Sequence, residues 1–327
     1  MEASRNLESR VSAKAPASIG NLAVGFDVLG VAFPLLWDEV TVARRIDDRV
    51  VIQEIIGSDL SLPRRAESNT ASRALLAMRA DVSSLGGFDL WIRKGIPLSA
   101  GLGGSAASAV AAVVAAVELT GLQASVDDLL SWSAQGEEAA SGVAHRDNVA
   151  PSLLGGAVLT SGTKALSLKL PQELALVVVL PQQEIKTKDA RSLLSADCRL
   201  EKHAEQSSRL AQFVIACERA DVSLLEGCIR DEIVEPQRRF LLPGFSRVKN
   251  AALTEGAIGC SFSGSGPAMF ALSLEEFAAP VAKSMQDAFR VEGLDSRSWS
   301  ISVQRSEGAQ ILEGLSSFST AKNEVES

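Results

Sequence analysis

The segment PLSAGLGGSAASAVAAVVAAVELTG, residues 97–121, constrains this chain more than any other stretch. Glycines at 101, 103 and 104 open backbone conformations closed to other residues and let the chain approach a ligand closely. The alanine- and valine-rich run behind them predicts a helix from near Ser105 to near Gly121. The free N–H groups and positive dipole end of that helix point back into the loop, which is a ready-made phosphate site. It is not a Walker A loop, because G-x-x-x-x-G-K-[ST] requires a lysine that this segment lacks. It fits a Rossmann fingerprint poorly: Ala106 stands in place of the third glycine, and no acidic residue caps a following strand about twenty residues on. Taken alone, the segment equally fits a glycine turn leading into a buried helix with no ligand.

The rest of the chain alternates strand and helix patterns. Residues 11–56 read as strands, with WDEVTVARRI alternating like a half-buried one. A helix is expected over Asn69–Arg79, capped by Ser68 or Asn69, and FDLWIRKGIPL reads as a strand. ASVDDLLSWSAQGEEAA predicts a helix with Ser125 as N-cap and acidic residues in its first turn. The β-branched run LALVVVLP, residues 174–181, predicts a central strand opening a second unit. Helical stretches are expected near 199–230 and 243–254. IGCSFSGSGPAMFAL then gives strand, glycine turn, strand, AAPVAKSMQDAFR a late helix, and ISVQRS a last strand. The tail STAKNEVES is expected to fray. The seam falls near 160–172, dividing the chain into 1–168 and 169–327, and mixed elements in both halves imply an α+β protein.

At 327 residues, two domains can each bury a core. A net charge of -8 argues against a general nucleic-acid binder but leaves room for a polyanion bound by locally focused donors. Cys198, Cys217, Cys228 and Cys260 include no C-x-x-C pair, so reduced, mostly buried thiols are expected, and not a zinc cluster or disulfide framework. The N-terminus lacks the apolar stretch of a signal peptide. The longest apolar run, Ala106–Val117, is too short to span a bilayer, which takes about 20 residues. A cytoplasmic location is the expectation.

Three segments in order resemble the GHMP kinases, the superfamily that includes homoserine, mevalonate and galactose kinases. PLSAGLGGSAAS resembles their phosphate loop P-x-x-x-G-L-G-S-S-A-A, APASIGNLAVGFDVLG their N-terminal motif, and GCSFSGSGPAMFAL their C-terminal glycine motif. Within that superfamily, SGVAHRDNVAPSLLGG and VEPQRRFLLPGF resemble segments of the homoserine kinase branch, and the resemblance runs from about residue 13 to 310. Gly104 departs from it, standing where the first of two serines is usual. That removes one hydroxyl from the loop but leaves the backbone donors.

The resemblance implies a two-domain GHMP kinase fold, with an N-terminal domain like the second domain of ribosomal protein S5 and a ferredoxin-like C-terminal domain. It implies ATP-dependent phosphorylation of the side-chain hydroxyl of L-homoserine in threonine biosynthesis, with Mg²⁺ and a homodimer as the family expectation. Pro97, Leu98, Ser99, Ala100, Gly101, Leu102, Gly103, Gly104, Ser105, Ala106 and Ala107 would then hold the triphosphate. Ser105 and Glu137 would hold Mg²⁺, both offering hard oxygen ligands. Glu137 also reads as a solvated helix carboxylate, and Asn69 either contacts the base or only caps its helix.

Homoserine is a zwitterion, so its site needs an acid for the ammonium and a base for the carboxylate. Asp27 with Asn21 suits the first; Arg191 and Arg238, with Thr187, suit the second. Asp147 can take the proton of the attacking hydroxyl as general base. The resemblance leaves that role open, since His145 and Asn148 can equally orient the substrate. SGSGP, residues 263–267, reads both as a tight hairpin and as a support for the phosphate loop. The alternatives are a GHMP kinase for a mevalonate-like or sugar substrate, a non-catalytic protein on the same scaffold, and an NAD-binding enzyme. The last is disfavoured by the absent third glycine and acidic partner.

Overall fold

The computed structural model describes residues 10–57, 62–141 and 146–312. The tail STAKNEVES and His145 lie outside them. In chain order the first part is β1 (Arg10–Gly20), β2 (Leu29–Arg45), β3 (Val50–Ile56), α1 (Thr70–Asp81), β4 (Gly87–Arg93), α2 (Gly104–Thr120), α3 (Val126–Ser141), α4 (Val149–Leu154), β5 (Ala157–Ser161) and β6 (Lys164–Leu168). The second part is β7 (Leu174–Pro181), α5 (Thr187–Ser192), α6 (Leu200–Arg219), α7 (Val222–Leu225), α8 (Glu235–Arg238), α9 (Phe245–Thr254), β8 (Ala257–Phe262), β9 (Met269–Leu274), α10 (Ala278–Val291), β10 (Ser296–Ser302) and β11 (Gln310–Ile311).

Seven strands form the first sheet in the order β11-β1-β2-β4-β3, with β5 paired to the near end of β2 and β6 to β5. Helix α2 lies against β1 and β2 on one side and against α1 and α3 on the other. That placement explains its composition. Ala106, Ala107, Ala109, Val110, Ala111, Ala112, Val113, Ala115 and Ala116 are fully buried, so no polar face is needed, and small side chains let sheet and helices approach closely. Helix α3 begins with a reciprocal cap: Ser125 Oγ accepts from the Asp128 N–H, and the Asp128 carboxylate accepts from the Ser125 N–H.

The second sheet has the order β10-β7-β9-β8, all antiparallel, and with α9 and α10 makes a ferredoxin-like βαββαβ unit. Every residue of β7 is buried. Leu174, Leu176 and Val178 join the core shared with the first sheet, while Ala175, Val177 and Val179 pack with Val248 of α9 and with Val281, Met285 and Phe289 of α10. A strand covered on both faces reads as one continuous apolar run.

Three sequence expectations are corrected. The helix expected near 199–230 stops at Arg219, where Ala220 turns left-handed (φ 50°). Beyond the single turn of α7, the Asp231 carboxylate accepts the N–H groups of Ile233, Val234 and Glu235 and holds the chain in a turn. The last segment begins as β10 five residues before ISVQRS, and β11 follows it, returning to pair with β1. The strand FDLWIRKGIPL ends at Arg93, because Asp38 captures the N–H groups of Gly95 and Ile96 and turns the chain out of the sheet. Cys217, Cys228 and Cys260 are free and buried, with thiols pushed up to about 12, 11 and 12 by burial, and Cys198 is free and exposed. No helix among the described residues is long and apolar enough to cross a membrane.

Candidate active site

A cleft of about 620 Å³ opens where the two sheets' loops converge, large enough for a nucleotide and a small acceptor together. Its wall includes residues 97–105, Asn21, Asp27, Asn69, Glu137, Asp147, Asn148, Thr187, Arg191 and Arg238. Residues as far apart in the chain as Asn21 and Ser265 thus meet in one cavity. Ala106 and Ala107 are fully buried and turn their side chains into the core.

The glycine loop is clamped on two sides. Gly101 has φ 75°, and a Cβ there would fall 2.4 Å from the Ser263 carbonyl oxygen and 2.7 Å from that of Gly266. The loop therefore lies backbone to backbone on the turn after β8. Ser263 Oγ donates to the Gly101 carbonyl at 2.6 Å, and the Ala268 N–H to that of Ala100 at 3.0 Å. On the other side the Ser18 N–H of β1 donates to the Leu102 carbonyl, and Ser18 Oγ to Asn148 Oδ1 at 2.9 Å. The turn at 263–267 is both a hairpin and a support. No side chain caps α2, whose N-cap Gly103 borders the cleft, so the positive end of this 17-residue helix faces it.

Ser105, in the first turn of α2, donates to Glu137 Oε2 of α3 at 3.0 Å. Glu137 is not the solvated carboxylate of the bland expectation: it is 8% exposed. Burial pushes its pKa up to about 7, with Asp147 adding to the rise and the Ser105 hydrogen bond and the Lys94 charge opposing it. A buried carboxylate beside a hydroxyl is a donor set suited to a hard divalent cation. Asn69 caps α1, accepting from the Ala71 N–H and donating to the Pro63 carbonyl, while also lining the cleft.

Asp147 precedes α4 and is 3% exposed. Burial and the nearby Asp27 charge push it up to about 7, against Arg191 and a hydrogen bond from Asn148 Nδ2 at 3.2 Å. Asn21 and Asp27 sit in the left-handed turn between β1 and β2, at φ 71° and 60°. Asn21 braces that turn, accepting the Asp27 N–H and donating to the Gly264 carbonyl. Asp27 and Arg191, expected at opposite ends of a substrate, here bind each other through two hydrogen bonds. Arg238, 2% exposed, donates from Nε to the Ala190 carbonyl, and burial with the Arg191 charge lowers it to about 10. Thr187 Oγ1 lies 3.1 Å from Ser265 Oγ.

Sequence reasoning missed three participants. Phe26 carries both guanidinium groups against its ring, at 5.5 Å for Arg191 and 5.4 Å for Arg238. Ser18 bridges loop and Asn148. Lys94 lines the cleft beneath the loop, paired to Asp38. Phe26 and Ser18 sit inside the N-terminal motif; a lysine at a strand end carries no sign that it is buried.

Residues 69–156 match the GHMP kinases N terminal domain and residues 213–291 the GHMP kinases C terminal domain. Fold and loop are therefore those of a GHMP kinase. A homoserine kinase of Xanthomonas campestris is 44% identical over 287 residues, covering 87% of this chain and 89% of the relative. That of Chloroherpeton thalassium is 39% identical over 318 residues, covering 93% and 99%. The crystal structure of homoserine kinase from Cytophaga hutchinsonii superposes with a TM-score of 0.88 at 38% identity, covering 94% of this chain and 98% of that one. The chain belongs to the homoserine kinase family.

Proposed function

We infer that this enzyme transfers the γ-phosphoryl group of ATP to the side-chain hydroxyl of L-homoserine, giving O-phospho-L-homoserine. The observation that carries it is the charge layout of the cleft: a helix N-terminus and glycine loop at one end, an acid with two arginines at the other, and a buried carboxylate between. Phosphoryl transfer depends on positioning and charge neutralisation more than on covalent chemistry, and such a layout supplies both.

The loop residues 97–105 cradle the triphosphate, with the backbone of Ala106 and Ala107 completing the first turn. Ser105 and Glu137 would hold Mg²⁺, which would supply positive charge to the transferring phosphoryl. Asn69 meets the base. Asp27, with Asn21, receives the substrate ammonium; Arg191 and Arg238, with Thr187, receive its carboxylate. Asp147 takes the proton of the attacking hydroxyl, supported by its burial and by a pKa poised near 7. Asn148 orients Asp147 through their hydrogen bond, and His145, in a segment outside the described residues, orients the substrate. Residues 1–168 carry nucleotide binding and 169–327 the second domain. A place in threonine biosynthesis, a cytoplasmic location and a homodimer accompany this reading, supported by the family.

A coupled ADP-release assay with homoserine, mevalonate, galactose and shikimate tests it. Homoserine gives the highest rate; background turnover with homoserine alongside turnover of another acceptor would overturn the assignment.

A further inference from the structure

Gly104 is the one residue of the loop that its motif does not explain, and the structure ties it to Lys94. The Lys94 side chain is 4% exposed and that of Asp38 0%. Lys94 Nζ donates to Asp38 Oδ2, to the Gly104 carbonyl oxygen at 2.8 Å and to Ser108 Oγ at 2.9 Å. An ammonium has three N–H donors, and protein groups take all three. Asp38 is satisfied in turn: Oδ2 also accepts Ser108 Oγ at 2.7 Å, and Oδ1 accepts the N–H groups of Gly95 and Ile96. The pair is thus bolted to both ends of the loop, to residues 95–96 where it begins and to Gly104 and Ser108 where α2 begins.

A Cβ at position 104 would stand 3.2 Å from Ile96 Cγ2 and 3.6 Å from Lys94 Nζ. The bare glycine relieves a tight contact with Ile96, while the ammonium beyond it is at ordinary contact distance. The loop has no lysine of its own, as a Walker loop would, and the neighbouring strand end brings one beneath it. With its donors spent, that lysine acts on the loop and not directly on phosphate.

We propose that Lys94, held by Asp38, is a positioning residue for ATP: it fixes the first turn of α2, and with it the Ser105 hydroxyl and the loop N–H groups, in the register that receives the phosphates. A pair serving only the fold would affect both substrates alike. A pair setting the loop affects ATP alone, because the acceptor end is built on Asp27, Arg191 and Arg238.

The inference rests on reading the cleft as an ATP site, and a thermal-shift titration of the parent protein with Mg-ATP tests that reading separately. Steady-state kinetics of the full chain carrying Lys94→Met then test the proposal. KM for ATP rises ten- to a hundredfold while KM for homoserine stays within twofold. Lys94→Met leaves the Asp38 charge buried and uncompensated, which by itself endangers folding. The double variant Lys94→Met/Asp38→Leu removes both charges; it folds and shows the same ATP-selective defect. An unchanged KM for ATP in a folded variant, equal rises in both KM values, or a double variant that does not fold each overturn the proposal.

Discussion

Arg191 grips Asp27 with both ends of its guanidinium, at 3.1 and 2.7 Å, across 164 residues of sequence. The pair joins α5 of the second part to the β1–β2 turn of the first, and a zwitterion has the charges to replace each partner for the other. In the proposed site, a ligand with only one of those charges would open the pair and leave the other side unmatched, so the pairing would favour an amino acid over a simple alcohol.

Arg191→Ala therefore raises KM for homoserine at least tenfold and leaves KM for ATP within twofold. Arg191→Lys does not restore it, because a point-like ammonium cannot reproduce the planar fork. Initial-rate kinetics with each substrate varied in turn measure both.

Asp147→Asn lowers kcat by more than tenfold, equivalent to about 1.4 kcal/mol of barrier. A smaller fall in a variant that still binds both substrates removes Asp147 from the role of base and leaves it an orienting group.

Glu137 and Asp147 are both pushed up to about 7. Their proposed roles need the charged forms, so activity falls as pH drops through about 7. Stability runs the other way. A carboxylate whose folded pKa exceeds its unfolded value stabilises the fold at low pH, and that contribution is lost as pH rises through the folded value. Glu137→Gln, neutral throughout, accordingly raises the Tm of the ligand-free protein at pH 8 by a few degrees and leaves it nearly unchanged at pH 5. The same variant loses the Mg-dependent part of the ATP thermal shift. Melting curves at the two pH values decide it, and no gain at pH 8 would contradict the buried-charge account.

Gly101→Ala and Gly121→Ala separate backbone conformation from contact. Both glycines are left-handed, at φ 75° and 67°, so alanine costs about 1–2 kcal/mol at either. Nothing lies within 4 Å of a Cβ at 121, whereas one at 101 overlaps the Ser263 carbonyl oxygen. Gly101→Ala has the lower Tm of the two and a weakened Mg-ATP shift; equal losses would mean that the loop does not rest on the 263–267 turn.

Elements with a local cause were legible in the sequence. The Ala/Val run of α2, the apolar β7 and the Ser125 N-cap each announce themselves by pattern, and so does the glycine loop. The turn at Asp231 was not, because a carboxylate capturing three N–H groups replaces a helix that composition alone allows. Of the cleft, Ser105, Glu137, Asp27, Arg191, Arg238 and Asp147 were named from motifs, but their mutual arrangement was not.

What the sequence by itself determined was which segments become helix or strand and where a phosphate finds free N–H groups, because both follow from side-chain period, glycine freedom and helix ends within a few residues. Only the tertiary structure decided that Lys94 lies buried on Asp38 beneath the loop, that Arg191 meets Asp27 and that Phe26 carries two guanidinium groups. Charge pairing and desolvation depend on distances between residues far apart in the chain, and no local pattern encodes them.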